Sequence, residues 1–419
     1  MATNTKNNIK KKDWVSTFTL VGKAIIKNNS FEIDAQSKKS NWVYNSLNLG
    51  IDCGEKYGVI YTSMMGGYDK QRTDNVIRTK GKDEENPDRT DYTKSIVIAW
   101  EDRFNEDILA TVGNDQFYCV GLEKVAEGEN KGKTFYKNFL STYDAIAYIK
   151  EHIVNGMIVR VTGDLQYSEY QGNVQVKKNI KSIVLSNVES ENDFKATFRQ
   201  SVLIDKESAS LKNIDKDKGI MYVDAKVLDY VKEINGVEYR GNYPYTKTFE
   251  FKMDFSNEVL TRKTFNVLFK VKKGYTQITF EGIFIEGGAT VMPTVDDIPD
   301  DIKELINIGC YTEEEALKLC ATNGKNEKRM VLIKPYIRKR YNDDGTTTNI
   351  VQRFEERYTD EDLYIDIPKI VDSANEVADK TNLDNIIDSS KSDNKTESSE
   401  DDMSVSYTHL RAHETLSDL

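Results

Sequence analysis

The 419-residue chain predicts a mainly β protein: two five-stranded Greek-key barrels in tandem, then a small α+β module and a disordered acidic tail. Three observations predict it. Apolar and polar residues alternate in many short runs, the period of a half-buried strand. The runs fall in the order three strands, helix, two strands, and they do so twice. A unit of helix, turn, alternating strand and interior glycine recurs in the second half. The length allows more than one core, and 38% hydrophobic with 30% charged residues fits a folded, soluble chain.

In the first strand Phe18, Leu20, Gly22, Ala24 and Ile26 alternate with Thr19, Val21, Lys23 and Ile25. Strands over 42–51 and 57–64 follow. Residues 66–94 are charged, turn-rich and aperiodic, and read as a long loop or hairpin insertion. Strand character returns over 95–100 and 117–120. Ser141 caps a helix that runs to Ile153, with Asp144 three residues on completing a capping-box-like pair. Ile146, Ile149 and Ile153 share one face, and Asn155-Gly156 stops the helix. The chain then alternates from Met157, passes Gly163, turns at Gln171-Gly172-Asn173 and returns over 174–185.

The second half repeats the order. Strands are expected over 195–204, 220–231 and 246–255, the last with Phe249, Phe251, Met253 and Phe255 facing one way. A helix over 257–271 ends before Lys273-Gly274, and Ile278, Phe280, Gly282 and Phe284 alternate along the next strand. Gly282 thus matches Gly163, as expected where a barrel strand bends sharply. Beyond 300, two short helices (300–308 and 312–320, the second capped by Thr312) precede a hairpin. Its arms, 328–341 and 348–358, are joined by Asn342-Asp-Asp-Gly345. The domain plan is a flexible N-terminus (1–13), a first barrel (14–190) with an insertion at 66–94, and a second barrel (191–299). A helix-and-hairpin module (300–370), an acidic tail (371–402) and a non-native end (403–419) complete it.

The net charge of −11 is unevenly spread: +1 over 1–190, −1 over 191–299, −3 over 300–370 and −7 over 371–402. The near-neutral body leaves room for a basic groove, and the tail has the composition of a solvated linker. Residues 406–415, Ser-Tyr-Thr-His-Leu-Arg-Ala-His-Glu-Thr, resemble a translated sequencing adapter. They are set aside as a fusion scar, and the natural C-terminus is expected to be missing.

Several function classes are disfavoured. No apolar run approaches the ~18 residues of a membrane span, and the polar, lysine-rich start does not read as a secretory signal. The expected location is cytoplasmic, that of the host if the protein is viral. His152, His409 and His413 are the only histidines, and Cys53, Cys119, Cys310 and Cys320 form no CxxC pair. That pattern argues against zinc sites and a disulfide framework, and for free thiols. GxxxxGK[ST], HExxH and GxSxG motifs are absent from the sequence. Asp52/Glu55 and Asp296/Asp297 are weak magnesium candidates, so no metal, cofactor or enzyme activity is expected.

Aromatics interleaved with cations carry more information. The chain has 23 tyrosines. Lys38, Lys39, Trp42, Tyr44, Tyr57, Tyr61, Tyr167, Tyr170, Lys177 and Lys178 fall on strands or turns of the first half. Arg199, Tyr239, Arg240, Tyr243, Tyr245 and Lys247 do so in the second. A single-strand-binding barrel needs flat rings for bases, each stack worth ~1–3 kcal/mol, and cations for phosphates. Trp42 suits a core equally well, and Lys177 and Lys178 equally suit a solvated face. Tyr167 and Tyr170 flank a hairpin turn, which predicts exposure. Residues 328–341 hold six basic residues and no acid, with Arg338, Lys339 and Arg340 at the far end. This run reads either as a nucleic-acid arm or as a neutraliser of Glu313–Glu315 and Glu355-Glu356.

The Gly22 strand, the helix before Asn155-Gly156 and the hairpin Val-Arg-Val-Thr-Gly-Asp-Leu-Gln-Tyr…Asn-Val-Gln-Val-Lys-Lys resemble the OB-fold single-stranded-DNA-binding proteins of bacteriophage type. The resemblance is one of texture and element order over about 14–290, without a diagnostic motif. It implies OB barrels that coat single-stranded DNA in replication or recombination, with the acidic tail recruiting replication or recombination proteins. The chain departs from that family in its two barrels, its length and a tail without an acidic-hydrophobic tip. Two other readings stand beside it: a β-rich virion structural or assembly protein, and an RNA- or oligosaccharide-binding OB barrel.

Overall fold

A computed structural model describes residues 9–234, 237–287, 290–291, 298–319, 322–323, 327–341 and 346–365. The acidic tail and the adapter-like end lie outside the described residues, as do Cys320, Asp296, Asp297, His409 and His413.

The first half comprises β1 (Ser16–Ile25), β2 (Phe31–Gln36), β3 (Trp42–Asp52) and β4 (Val59–Asp69). An insertion follows with β5 (Val76–Lys82), β6 (Thr90–Ala99), α1 (Glu106–Leu109), β7 (Tyr118–Lys124) and β8 (Thr134–Phe139). Then come α2 (Thr142–His152), β9 (Ile158–Tyr170) and β10 (Asn173–Leu185). The second half comprises β11 (Lys195–Ile204), β12 (Ala209–Asp215), β13 (Ile220–Ile234), β14 (Val237–Lys252), α3 (Glu258–Leu268) and β15 (Tyr275–Gly287). Beyond it lie β16 (Thr290–Val291), α4 (Asp300–Asn307), α5 (Glu313–Leu319), β17 (Thr322–Asn323) and β18 (Glu327–Pro335). The described chain closes with β19 (Ile337–Tyr341), β20 (Thr347–Val351), β21 (Arg353–Tyr358) and α6 (Asp360–Leu363).

Strand pairing closes two rings. β1, β3, β4, β10 and β9 form the first, with β4 and β10 parallel at Ser63–Asn179 and the other pairs antiparallel. β11, β13, β14, β18 and β15 form the second, with β14 and β18 parallel at Glu250–Val331. Three strands, a helix and two strands, with the third and fifth parallel, is the OB topology. The alternation read from the sequence fills both rings: Leu20, Leu49, Ile51, Ile60, Val159, Val161, Val223, Phe249 and Phe280 are fully buried. Each such side chain contributes ~1.5–3 kcal/mol by leaving water.

The two rings are duplicates in register. Phe18 lies opposite Gly163, and Phe198 opposite Gly282. Gly163 in turn pairs with Ile180, and Gly282 with Leu332. One residue earlier on each fifth strand, Asn179 and Val331 make the two parallel pairings. A Cβ on Gly163 would run into the carbonyl of Asn179, and one on Gly282 into the Phe198 ring and the Val331 carbonyl. The glycines matched in the sequence are therefore matched in the structure, and close approach, not the expected sharp bend alone, requires them.

The rings join along β1 and β11, which pair antiparallel from Ser16–Gln200 to Val21–Lys195. Each hairpin of strands four and five then reaches across to the other ring. The Tyr167 amide donates to Asp229 within β13, and the Glu286 amide donates to the Tyr57 carbonyl in the β3–β4 turn (2.9 Å). One hydrophobic core runs through both barrels.

Several expectations change. Residues 66–69 continue β4, and the insertion carries β5–β8 with a small core of its own around Ile98, Val112 and Leu140. The boundary expected at 299 falls before the strand that closes the second ring. Residues 328–335 are that strand, leaving only β19 and β20 as a separate two-stranded hairpin. The N-terminus is pinned from residue 9, not flexible to 13. Ile9 is buried beside Leu203, Leu228 and Tyr358, and Tyr358 Oη donates to the Lys10 carbonyl (2.8 Å). Ser141 caps α2 through the Tyr143 amide (3.1 Å), but Asp144 pairs with Arg103 (2.8 Å) and completes no box.

Candidate nucleic-acid interface

On β13 the inward residues Met221, Val223, Ala225 and Val227 alternate with outward Tyr222, Asp224 and Lys226. Tyr222 pairs across to Glu250 on β14, which pairs on to Val331 on β18. This outer face of strands two, three and five holds a cleft lined by Lys218, Tyr222, Glu250, Lys328 and Arg329. Arg329 is held as a fork on Glu250, Nε to Oε1 at 2.8 Å, which fixes its plane beside the tyrosine. Lys218 is exposed, with Asp215 at 3.6 Å. Lys328 is exposed and makes no ion pair among the described residues. Three cations against one lining carboxylate, around one ring, suit a phosphate and a stacked base.

The duplicated register identifies the same face in the first barrel. Asn48 pairs with Ser63, and Ser63 with Asn179; exposed Lys177 takes the place of Arg329. Tyr61, 40% exposed, lies next along β4, and Lys27 donates to its hydroxyl (2.6 Å) with the ammonium 5.0 Å from the ring centre. Half-buried Trp42 and Tyr44 continue the outward row of β3, and Lys38 and Lys39 are exposed in the turn before it. Half-buried Tyr57 sits in the β3–β4 turn against β15.

A family model described as YorF matches residues 105–275, from the middle of the insertion, just before α1, to the first residue of β15. A search of curated proteins finds no match. Among solved structures, a deletion mutant of the single-stranded DNA binding protein from Thermus aquaticus aligns at 8% identity and a TM-score of 0.28. That alignment covers 65% of this chain and 87% of that one. At that score the likeness carries no argument; the fold assignment rests on the strand pairing.

Other expected site residues have different roles. Tyr167 is only 2% exposed: its hydroxyl donates to Gln200 (2.9 Å) inside the joint between barrels, so its ring faces no solvent. Lys178 is 6% exposed, ion-paired with buried Glu286 and set over the Phe284 ring. Burial pushes its ammonium pKa down, against the pull of Glu286. Tyr245 is buried with Tyr243 edge-on to it, and Lys247 is half-buried on the same face of β14. Tyr167, Tyr243, Tyr245 and Lys247 lie where the long β9–β10 hairpin and the β13–β14 ribbon cover each other, and β15 covers Lys178.

Tyr170, at the hairpin tip, is 48% exposed, as expected. Tyr239 donates to the Asn242 carbonyl (3.1 Å), and exposed Arg240 pairs with Glu238. Exposed Arg199 pairs with Glu281 (3.1 Å) and stacks on Tyr336 at 4.4 Å. Arg338, Lys339 and Arg340 stand exposed on the β19–β20 hairpin without ion pairs among the described residues. Lys218 and Tyr222 were not singled out in the sequence. The period-two pattern of β13 carried the signal for Tyr222. No cluster of three or more potential metal ligands occurs among the described residues, and no helix there is long and apolar enough to cross a membrane.

Proposed function

We propose that the protein binds single-stranded nucleic acid, DNA in the first instance, with little sequence preference, as an accessory to replication or recombination, and without catalysis. The observation that carries this reading is the cleft on strands two, three and five of the second barrel. There a tyrosine ring lies beside Lys218, Lys328 and Arg329. The matching face of the first barrel supports it with Tyr61, Lys27 and Lys177. Rings accept any base, and the cations follow the backbone, which gives affinity without base readout. The test is fluorescence titration with oligo(dT), duplex DNA and RNA at two salt concentrations, Trp42 on the outward row of β3 serving as reporter. The reading expects salt-sensitive quenching by oligo(dT) in preference to duplex. No detectable binding of oligo(dT) at low salt would overturn it.

A further inference from the structure

The joint between the barrels sets a direction on each face. In the antiparallel β1–β11 pairing, Phe18 lies opposite Phe198. These two residues are each other's counterparts, since each faces the interior glycine of its own fourth strand. A pair of counterparts facing each other is the mark of a two-fold axis, here running between the two phenylalanines. The reciprocal contacts obey the same axis: Tyr167 reaches the second barrel and Glu286 reaches the first, each four residues beyond its glycine.

A two-fold reverses any path that joins equivalent points through it. A nucleic-acid strand has a direction, and a chiral groove with fixed rings and cations favours one direction over the other. A strand that leaves one face by a given end and crosses the joint enters the other face by the equivalent end, running backwards for that face. We propose that the two barrels hold two single-stranded segments of opposite direction. When both segments belong to one strand, an unbound loop of nucleotides must connect them. This inference rests on the single-strand reading above and adds strand polarity to it.

The test uses the full chain and three probes, each with two oligo(dT) arms of about 8 nucleotides, within the ~4–16 that one OB barrel covers. A short flexible linker joins the arms 3′–3′, 5′–5′ or, with ordinary polarity, 3′–5′. One inverted probe should bind at least ~10-fold more tightly than the 3′–5′ probe, because only it engages both faces at once. A linker several times longer should erase the difference, as should Tyr61→Ala or Tyr222→Ala. Equal or tighter binding of the 3′–5′ probe at the short linker would overturn the inference while leaving single-strand binding intact. Failure of all three probes and of a long oligo(dT) would overturn the single-strand reading, and the inference with it.

Discussion

Lys178 and Glu286 illustrate how a charged residue serves the fold instead of a ligand. Both are buried, and each is the other's ion partner across the joint. Their counterparts under the two-fold are Met330 and Tyr167, which fill the equivalent positions without a charge pair. Lys178→Met alone should therefore cost ~3–5 kcal/mol, because it leaves the Glu286 carboxylate buried and unpaired. Adding Glu286→Leu should recover most of that loss, and denaturant unfolding of the three proteins checks it. A double variant as unstable as the single would show that shape, not charge balance, governs the joint. At the ligand face the order reverses. Tyr222→Ala should weaken oligo(dT) binding by ~1–3 kcal/mol, with a melting temperature close to the parent's. Tyr167→Ala should instead lower the melting temperature. An unchanged affinity for Tyr222→Ala would remove the cleft from the site.

Among the elements, the β19–β20 hairpin stands apart from both rings as its own two-stranded sheet and carries Arg338, Lys339 and Arg340. Replacing all three with Gln should lower the slope of log affinity against log salt by about 2, at ~0.7 per phosphate contact. The fold should be unaffected, since these side chains make no ion pairs among the described residues. An unchanged slope would make the hairpin a bystander. What the sequence revealed of these elements follows from what its pattern can carry. The strands of both barrels, both long helices and the matched glycines were legible because burial on one face leaves a period of two or 3.6. β2, with Phe31, Ile33 and Ala35 alternating against acids and Gln36, carries the same signal over only six residues. Tyr167 is not legible locally, because its burial depends on a second barrel, which no local pattern reports. The strand that closes the second ring reads as part of a separate module because about 40 residues separate it from β15. Six basic residues without an acid over 328–341 give it the look of an arm. The Tyr222 cleft joins three strands distant in sequence, so only the pairing register assembles it.

At the scale of the molecule, one core through both barrels and two reciprocal hairpins predict that the barrels unfold together. Buried tyrosines supply the probe. Burial, with help from Asp229, pushes the Tyr245 phenol up to about 12, and burial likewise pushes Tyr275 to about 12. Unfolding returns them to their ordinary value near 10. Above pH ~10 the unfolded chain therefore holds fewer protons than the folded one, and stability falls as pH rises toward 12. Absorbance at 295 nm should show these rings ionising in one step, together with the loss of β circular dichroism. Early, separate ionisation would show that the joint opens on its own. The tail acts at this scale too. On the proposed single-strand reading, its −7 over 371–402 would compete with phosphates for the basic faces of a near-neutral body. Ending the chain at Ile370 should strengthen oligo(dT) binding, most of all at low salt. Unchanged affinity there would leave the tail a solubiliser or a hook for partner proteins.

On the proposed function, single strands lie on the outer faces of strands two, three and five of each barrel. The most direct measurement is photocrosslinking of the full chain to oligo(dT), with the attached peptides identified by mass spectrometry. Crosslinks are expected at Tyr222 and Tyr61, with their loss at high salt, and none at Tyr167 or Tyr245. Crosslinks confined to other surfaces, or reaching the buried tyrosines of the joint, would contradict it.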